Sequence, residues 1–387
     1  MKAGCVLKNI SCAILLIAIF FWAALSDCSA KEFPDFIVLP DYVSTPDGMT
    51  ICPATGDLIV ACPNFGDDSK PACVIRIDKS GKVEKWFDVP VHPDTKKACP
   101  MGIEFAPDGS LFICDNQNWP TGNGKNGELS QGRLLRVVLD GKRIVSTTAV
   151  ASNIPHPNGV KIRGGFAYIT VSCLPKIHAE NGLLSSGVYC FPITANNIRV
   201  KGTLDDPNLI VLFQTQNPDC QYGADGLCFN ESGNLFIGNF GDGTVLLAKP
   251  DGLKRITTSN YVKSKPIPPL NLPNGTPDPD FLKKAVSIPM RTTDGMCRDS
   301  KTGDIYVADF SNNAIAKIAG SDRSLSFLAI SPDNNGLSGG LNQPGEPCLW
   351  NGRLAVACFD MVTGPDKVNS KHDSKATVVF LRLKQNP

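Results

Sequence analysis

Residues with oxygen-bearing side chains recur along this chain at the start of the same short phrase. The clearest copy begins at Asp294-Gly295-Met296, turns at Gly303-Asp304, and returns as the apolar run Ile305 to Ala308. The opening residues of the six copies lie 52 to 69 residues apart and are Asp47, Met101, Asn158, Asp225, Asp294 and Glu346. Five of the six carry a carboxylate or amide oxygen, which is the donor chemistry of a hard cation, Ca²⁺ first and Mg²⁺ or Mn²⁺ next.

The alternative interpretation is that these Asp-Gly and Asn-Gly pairs are only turns that lead into strands. For a single copy that interpretation is sufficient. Five oxygen-bearing residues at one position of a repeat favour a metal site, because four carboxylates in one place repel one another unless a cation neutralises them.

The repeated phrase indicates the element that must hold these residues. Each copy reads as a hairpin of two apolar strands, and each repeat has room for four strands and their loops. No long amphipathic helix pattern interrupts the repeats. The predicted fold is therefore all-β, a six-bladed β-propeller with four-stranded blades over residues 31–387. A β-sandwich is the alternative, which the regular period disfavours.

Two features of the repeat predict how the propeller is assembled. The first strand of a blade lies innermost, so the six opening residues are expected to meet around the central channel. The last copy ends without a fourth strand, and a lone apolar stretch, Phe36 to Leu39, has no partner nearby. We expect this stretch to complete the last blade and close the ring.

Composition and the N-terminus bear on location and partners. The net charge of the 387-residue chain is +1, which favours neither nucleic acid nor an anionic membrane surface. Lys2 and Lys8 precede an apolar run from Ile10 to Leu25. Residues 1–30 are therefore predicted to be a signal peptide, and the mature protein a secreted monomer, extracellular or periplasmic, with no membrane contact after cleavage. An uncleaved anchor is the alternative.

The cysteine count leaves two possibilities open. The chain has 15 cysteines, and three of them, Cys5, Cys12 and Cys28, fall in the leader. The even remainder is consistent with disulfides in an exported protein. Several of these cysteines lie inside predicted strands, where a small buried thiol is equally natural.

Three of the opening phrases resemble those of a known family. They are Pro157-Asn158-Gly159-Val160, Ala224-Asp225-Gly226-Leu227 and Thr293-Asp294-Gly295-Met296-Cys297. They are similar to the senescence marker protein, gluconolactonase and luciferin-regenerating enzyme family of calcium-dependent six-bladed propellers. The resemblance implies a calcium ion in the channel, held here by Asp47, Asn158, Asp225 and Asp294. Asp47 stands where the family has Glu, Asp225 stands where it has Asn, and Glu346 would add a further carboxylate.

The resemblance also implies an activity, the metal-dependent hydrolysis of small esters, with a sugar lactone as the expected substrate. Asp294 would be the general base or nucleophile. His156, two residues before a predicted ligand, is a candidate proton shuttle, and a packed loop histidine is the alternative. Further polar residues are candidates to line the mouth and contact substrate hydroxyls, or simply to be solvated in loops: Asp115, Asn116, Asn118, Asn239, Asp242, Asp309 and Asp360.

Two other functions remain open at this stage. One is a non-catalytic propeller that binds a ligand or a protein on its channel face, although such a propeller does not need five converging oxygen ligands. The other is phosphotriester hydrolysis, which would use the same ring of residues and differ only at the mouth.

Overall fold

The computed structural model describes residues 33–117, 130–177, 182–248, 290–322, 324–361, 363–364 and 367–383. From Asp35 onward the described residues form one compact unit. The predicted signal peptide, residues 1–30, and Asn118 lie outside them. The described residues include no helix that is both long and apolar enough to cross a membrane.

The described residues fold into six small antiparallel sheets that follow one another along the chain. The strands before and within the first three blades are β1 (Phe36–Val38), β2 (Met49–Ile51), β3 (Leu58–Cys62), β4 (Cys73–Ile77), β5 (Val83–Asp88), β6 (Pro100–Phe105), β7 (Leu111–Asp115), β8 (Gly132–Asp140), β9 (Arg143–Ile154), β10 (Pro157–Arg163), β11 (Phe166–Val171), β12 (Ser185–Pro192), β13 (Ile198–Arg199) and β14 (Leu209–Gln214).

The last three blades are formed in the same way. Their strands are β15 (Ala224–Phe229), β16 (Leu235–Asn239), β17 (Thr244–Ala248), β18 (Met296–Arg298), β19 (Ile305–Asp309), β20 (Ala314–Ile318), β21 (Leu325–Ile330), β22 (Pro344–Trp350), β23 (Arg353–Cys358) and β24 (Thr377–Arg382). This is the six-bladed β-propeller that the repeat predicts. Blade four has three strands in the described part of the chain, and β13 adds a parallel fifth strand to the outer edge of blade two.

The N-terminal strand closes the ring. β1 pairs antiparallel with β24, with Phe36 opposite Val379. Blade six is thus completed by a strand from the other end of the chain, as the sequence predicts.

Apolar faces of consecutive blades cover one another. Ile59 and Val74 of blade one share a buried cluster with Ile103 and Ile113 of blade two. Similar clusters join blades three and four, four and five, and five and six. Since a hairpin buries only one face by itself, the stacking of blades provides most of the core.

The cysteines of the propeller are thiols. None of the twelve cysteines between Cys52 and Cys358 forms a disulfide, and six of them are buried within strands. Of the two possibilities that the sequence leaves open, the structure shows the buried thiol for these six.

Candidate functional site

A β-bulge in the innermost strand of every blade positions the predicted opening residues. In blade four, Asp225 and Gly226 together oppose the single residue Gly238. Blades two, three and six have the same register shift. In blades one and five, the backbone hydrogen bonds of Asp47 and Asp294 show the same arrangement. A bulge re-aims one side chain away from the regular alternation of a strand, here toward the channel.

In five of the six blades the second residue of the bulge is a glycine, and close contact between neighbouring blades requires it. A Cβ on Gly48 would lie 2.3 Å from the carbonyl oxygen of Met101, and a Cβ on Gly226 would lie 2.5 Å from that of Asp294. Only glycine allows these backbones to approach so closely. The recurring Asp-Gly and Asn-Gly pairs therefore serve packing at the axis as well as ligand placement.

Five of the six opening residues line one pocket, as the sequence predicts. They are Asp47, Met101, Asn158, Asp225 and Asp294. The pocket is open to solvent at its mouth. Asp294 is half-buried and is the most exposed of the four oxygen-bearing opening residues in the pocket, whereas Asp47, Asn158 and Asp225 are buried.

Glu346 does not reach this pocket. In blade six, Gly345 and Glu346 together oppose Ala357, so Gly345 occupies the position that Asp225 has in blade four. Glu346 stands where the other five blades have the bulge glycine, and it lines a separate, smaller cavity of the channel. We therefore leave it out of the proposed ligand set.

Glu346 has a protein cation as a neighbour. Lys161 lies three residues beyond Asn158 on β10, and its Nζ is 2.9 Å from Oε2 of Glu104 on the adjacent blade. Burial raises the pKa of Glu346, and the positive charge of Lys161 partly opposes that shift. Burial lowers the pKa of Lys161, but the attraction of Glu104 and Glu346 outweighs it and the net shift is upward.

The three aspartates of the pocket are in a different electrostatic position. Burial, followed by repulsion from Asp225, raises the pKa of Asp47 to about 8. Burial raises the pKa of Asp225 to about 7, opposed by hydrogen bonds with Asp294 and Asn158. Desolvation and the charges of Asp225 and Asp47 hold the pKa of Asp294 well above its ordinary value. The site is thus poor in positive charge, and a bound cation would stabilise all three ionised forms.

The donor chemistry fits a hard cation, but the side chains do not form a finished coordination shell. Asp225 and Asp294 are close enough to share a hydrogen bond. Within the described ranges, no three His, Cys, Asp or Glu side chains have the spacing of metal ligands. Binding of a cation would require the Asp225 and Asp294 carboxylates to separate and turn toward it.

His156 lies behind the pocket wall. It is buried, adopts a left-handed backbone conformation with φ of 48°, and packs edge-on against Tyr222 with ring centroids 6.0 Å apart. Burial lowers its pKa to about 4, so its imidazole is neutral at pH 7. His156 is not among the residues that line the pocket, and its role as a proton shuttle stays a prediction.

The polar residues at the ends of the second strands do not line the mouth. Asp115, Asp309 and Asp360 have no exposed surface, and Asn239 is 1% exposed. Asp115 accepts hydrogen bonds from the Cys99 backbone and from Arg133. These side chains fasten the loops between strands, and the expectation that they contact a substrate is wrong.

Two of these residues show how the loops are fastened. The carboxylate of Asp309 accepts from the backbone nitrogens of Arg291 and Thr292, while burial raises its pKa to about 6. The carboxylate of Asp360 accepts from Asp373 N at 2.7 Å. The two described loop candidates do not line the pocket either. Asn116 is fully buried, and Asp242 accepts hydrogen bonds from the backbone nitrogens of Gln216 and Asn217.

Aromatic residues take the place expected for polar ones. Tyr222, Phe240, Phe310 and Phe359 form the wall of the pocket above the aspartates, and we call them the aromatic wall. The three phenylalanines each follow the second strand of their blade directly, in blades four, five and six. The sequence carries this repeat as Asn239-Phe240, Asp309-Phe310 and Cys358-Phe359, a phenylalanine directly after each second strand, and this is the signal that could locate the aromatic wall.

This chain is similar to known proteins in fold and not in sequence. No protein-family model matches the chain, and no curated protein matches it by sequence. Among solved structures, a luciferin-regenerating enzyme aligns over 88% of this chain and 92% of its own at 14% identity, with a TM-score of 0.54. An aldose sugar dehydrogenase from Streptomyces coelicolor, solved with bound PQQ, aligns over 90% and 99% at 15% identity, with a TM-score of 0.52.

A gluconolactonase from Xanthomonas campestris also aligns, over 89% of each chain at 15% identity and with a TM-score of 0.44. Identities this low establish the shared architecture and not the activity. The chain has the propeller fold of the luciferin-regenerating enzyme and related six-bladed proteins.

Proposed function

We propose that this protein is a calcium-dependent hydrolase of small lactones. The observation that carries the proposal is the convergence of three aspartates and one asparagine in a single pocket. The resemblance of the opening phrases to the gluconolactonase family supports the same reaction class. We further propose that residues 31–387 act as a secreted or periplasmic monomer.

The proposed metal-binding residues are Asp47, Asn158, Asp225 and Asp294. Their carboxylate and amide oxygens suit Ca²⁺ best, with Mg²⁺ or Mn²⁺ as substitutes. When bound, such a cation polarises an ester carbonyl as a Lewis acid. A positive charge in the site also favours the ionised form of Asp294, which is the form that can accept a proton.

The reaction requires one base and one water molecule. As general base, Asp294 takes a proton from water as the oxygen adds to the lactone carbonyl carbon. The ring C–O bond then breaks, and the proton returns to the departing ring oxygen, which gives a hydroxy acid. As nucleophile, Asp294 would instead form an acyl intermediate that water hydrolyses. Asp294 suits either role because it is the most exposed of the four proposed metal-binding residues.

The test combines stability and turnover. Calcium should raise the melting temperature of wild-type protein freed of metal by chelation, and the calcium-loaded protein should hydrolyse members of a lactone panel that includes glucono-δ-lactone. Asp294→Asn should lower kcat by at least about 100-fold. Asp88→Asn, at a side chain that is 63% exposed on the outer strand of blade one, is the matched control and should be unchanged.

The results separate the alternatives. Calcium stabilisation without hydrolysis of any lactone would favour the binding propeller. Hydrolysis that is unaffected by chelation or by Asp294→Asn would contradict the proposed site.

A further inference from the structure

The walls of the pocket are built as a continuous aromatic surface. Each ring packs on the next around the mouth, with centroid distances of 5.4 Å from Tyr222 to Phe240, 5.8 Å from Phe240 to Phe310 and 5.9 Å from Phe310 to Phe359. Phe359 contacts Phe65 of blade one at 6.2 Å. The series thus runs from blade four through blades five and six to blade one.

Few polar groups remain in the described part of this pocket above the aspartates. They are the Tyr222 hydroxyl, which lies 3.4 Å from Nδ2 of Asn158, the thiol of Cys220, and Thr363 with the backbone of Gly364. Among the described residues, the carboxylates of Asp309 and Asp360 are not available to substrate hydroxyls, because they bind the backbone of their own loops.

We propose that the lactone taken by this site is apolar, a ring with an alkyl or aryl substituent, and not a sugar-acid lactone. This inference rests on the proposed function, because it places the lactone carbonyl at the aspartates and the substituent against the aromatic wall. The pocket is polar at one end and apolar along its sides, which matches a molecule that has one ester group and a hydrocarbon body.

The hydroxyl groups of a sugar lactone would weaken its binding against the aromatic wall. A sugar lactone carries several hydroxyls, and each one that is buried against phenylalanine without a partner loses its hydrogen bonds to water. The loss is about ten-fold in affinity for each such hydroxyl. An alkyl substituent of similar size gains affinity in the same place, because it leaves water for an apolar surface.

The experiment compares two δ-lactones that share a six-membered ring and an alkoxide leaving group, δ-decalactone and glucono-δ-lactone. The calcium-loaded wild-type protein should have a kcat/KM for δ-decalactone at least about 100-fold higher, after correction for spontaneous hydrolysis. The two variants Phe359→Leu and Phe359→Gln have similar volume and differ in polarity. Phe359→Leu should keep the preference, whereas Phe359→Gln should reduce it by about ten-fold.

A binding measurement keeps the inference testable without turnover. Calorimetry of calcium-loaded protein with the lactam of the alkyl-substituted ring and with gluconolactam reports the same preference for two compounds that resist hydrolysis. Circular dichroism melting confirms that both Phe359 variants are folded.

The outcomes distinguish the inference from the proposed function. Equal or faster hydrolysis of glucono-δ-lactone would overturn the apolar preference and leave the lactonase proposal intact. Hydrolysis of neither lactone, with binding of the alkyl lactam alone, would overturn the lactonase proposal and support the apolar preference. No hydrolysis and no binding of either lactam would overturn both.

Discussion

At the scale of single residues, the decisive feature is a group of three carboxylates whose pKa values no Lys or Arg among the described residues lowers. Glu346 and Glu104 face Lys161, whereas the pKa values of Asp47, Asp225 and Asp294 are raised by burial and by one another. Unpaired buried charges destabilise a fold unless another group compensates them. Such an arrangement is typical of functional sites.

Asp225 offers the first test of this interpretation, because the resembling family has asparagine at its position. Asp225→Asn removes one buried acid, and the amide oxygen can still accept hydrogen bonds from Asp294 and Asn158. In chelator, the variant should therefore be more stable than wild type by about 1–3 kcal/mol at pH 8. Calcium should then raise its melting temperature less than it raises that of wild type. Urea unfolding and thermal melting, with and without calcium, measure both effects.

The same measurements on Asp88→Asn control for the loss of a surface charge. If calcium-free Asp225→Asn were less stable than calcium-free wild type, the ionised carboxylate of Asp225 would stabilise the fold, and the interpretation that its charge is uncompensated would be wrong.

At the scale of elements, the bulge with its glycine forms the site. There is no space for a side chain at Gly226, because a Cβ at this position would lie 2.5 Å from the carbonyl oxygen of Asp294. Gly226→Ala should destabilise the protein by about 1–3 kcal/mol and weaken calcium binding, since the backbone of Asp294 must move. Gly345→Ala is the matched control, because its Cβ would lie 3.2 Å from Oδ1 of Asp47 and 3.4 Å from Cβ of Phe359.

Urea unfolding compares the two alanine variants. The expected order is a larger loss of stability for Gly226→Ala than for Gly345→Ala. The reverse order would mean that the bulge glycines are not what sets the distance between blades.

The limits of the sequence analysis also lie at this scale. Hairpins, turns and the approximate blade boundaries follow from apolar runs and glycine turns, which are local signals. The choice between Gly345 and Glu346 depends on which residue of the bulge faces the channel, and the extra residue of a bulge interrupts the alternation from which the two faces of a strand are predicted. Asp309 and Asp360 were misplaced for a related reason, because a side chain next to a channel can turn back to its own loop.

At the scale of the whole molecule, the last blade must be joined to the first. The sequence predicts this closure because the sixth copy lacks a strand and an unpartnered strand lies near the N-terminus. Asp35 adds an ion pair to Arg353 at 2.8 Å, and the Trp350 indole donates to the carbonyl of Gly56 at 2.8 Å. Closure thus combines a strand ladder with contacts between blades six and one, and the latter depend on distant residues that no local pattern brings together.

His372 makes a pH-dependent contact within blade six, beside the same junction. Its ring packs against Gly66 of blade one, and its Nδ1 lies 3.2 Å from Oδ2 of Asp360 in blade six. The hydrogen bond to Asp360 raises the pKa of His372 above 6.5, although partial burial opposes the shift, and burial also raises the pKa of Asp360. A histidine whose pKa is higher in the folded than in the unfolded state stabilises the fold when it is protonated. This stabilisation is fully present below pH 6.5 and is lost as the pH rises through the raised pKa.

Wild type should therefore exceed His372→Gln in unfolding free energy at about pH 6, by about 1 kcal/mol or less because the ring is partly exposed. The difference should shrink at about pH 9, where the imidazole is neutral in both the folded and the unfolded chain. Urea unfolding in chelator at the two pH values measures the effect without interference from calcium. His92 is the control, because burial is the main cause that lowers its pKa. At pH 6 wild type should gain no stability over His92→Gln, since the folded state disfavours the charged ring. A difference for His372→Gln that is equal at both pH values would mean that the ring acts across the junction by packing alone, without the ion pair.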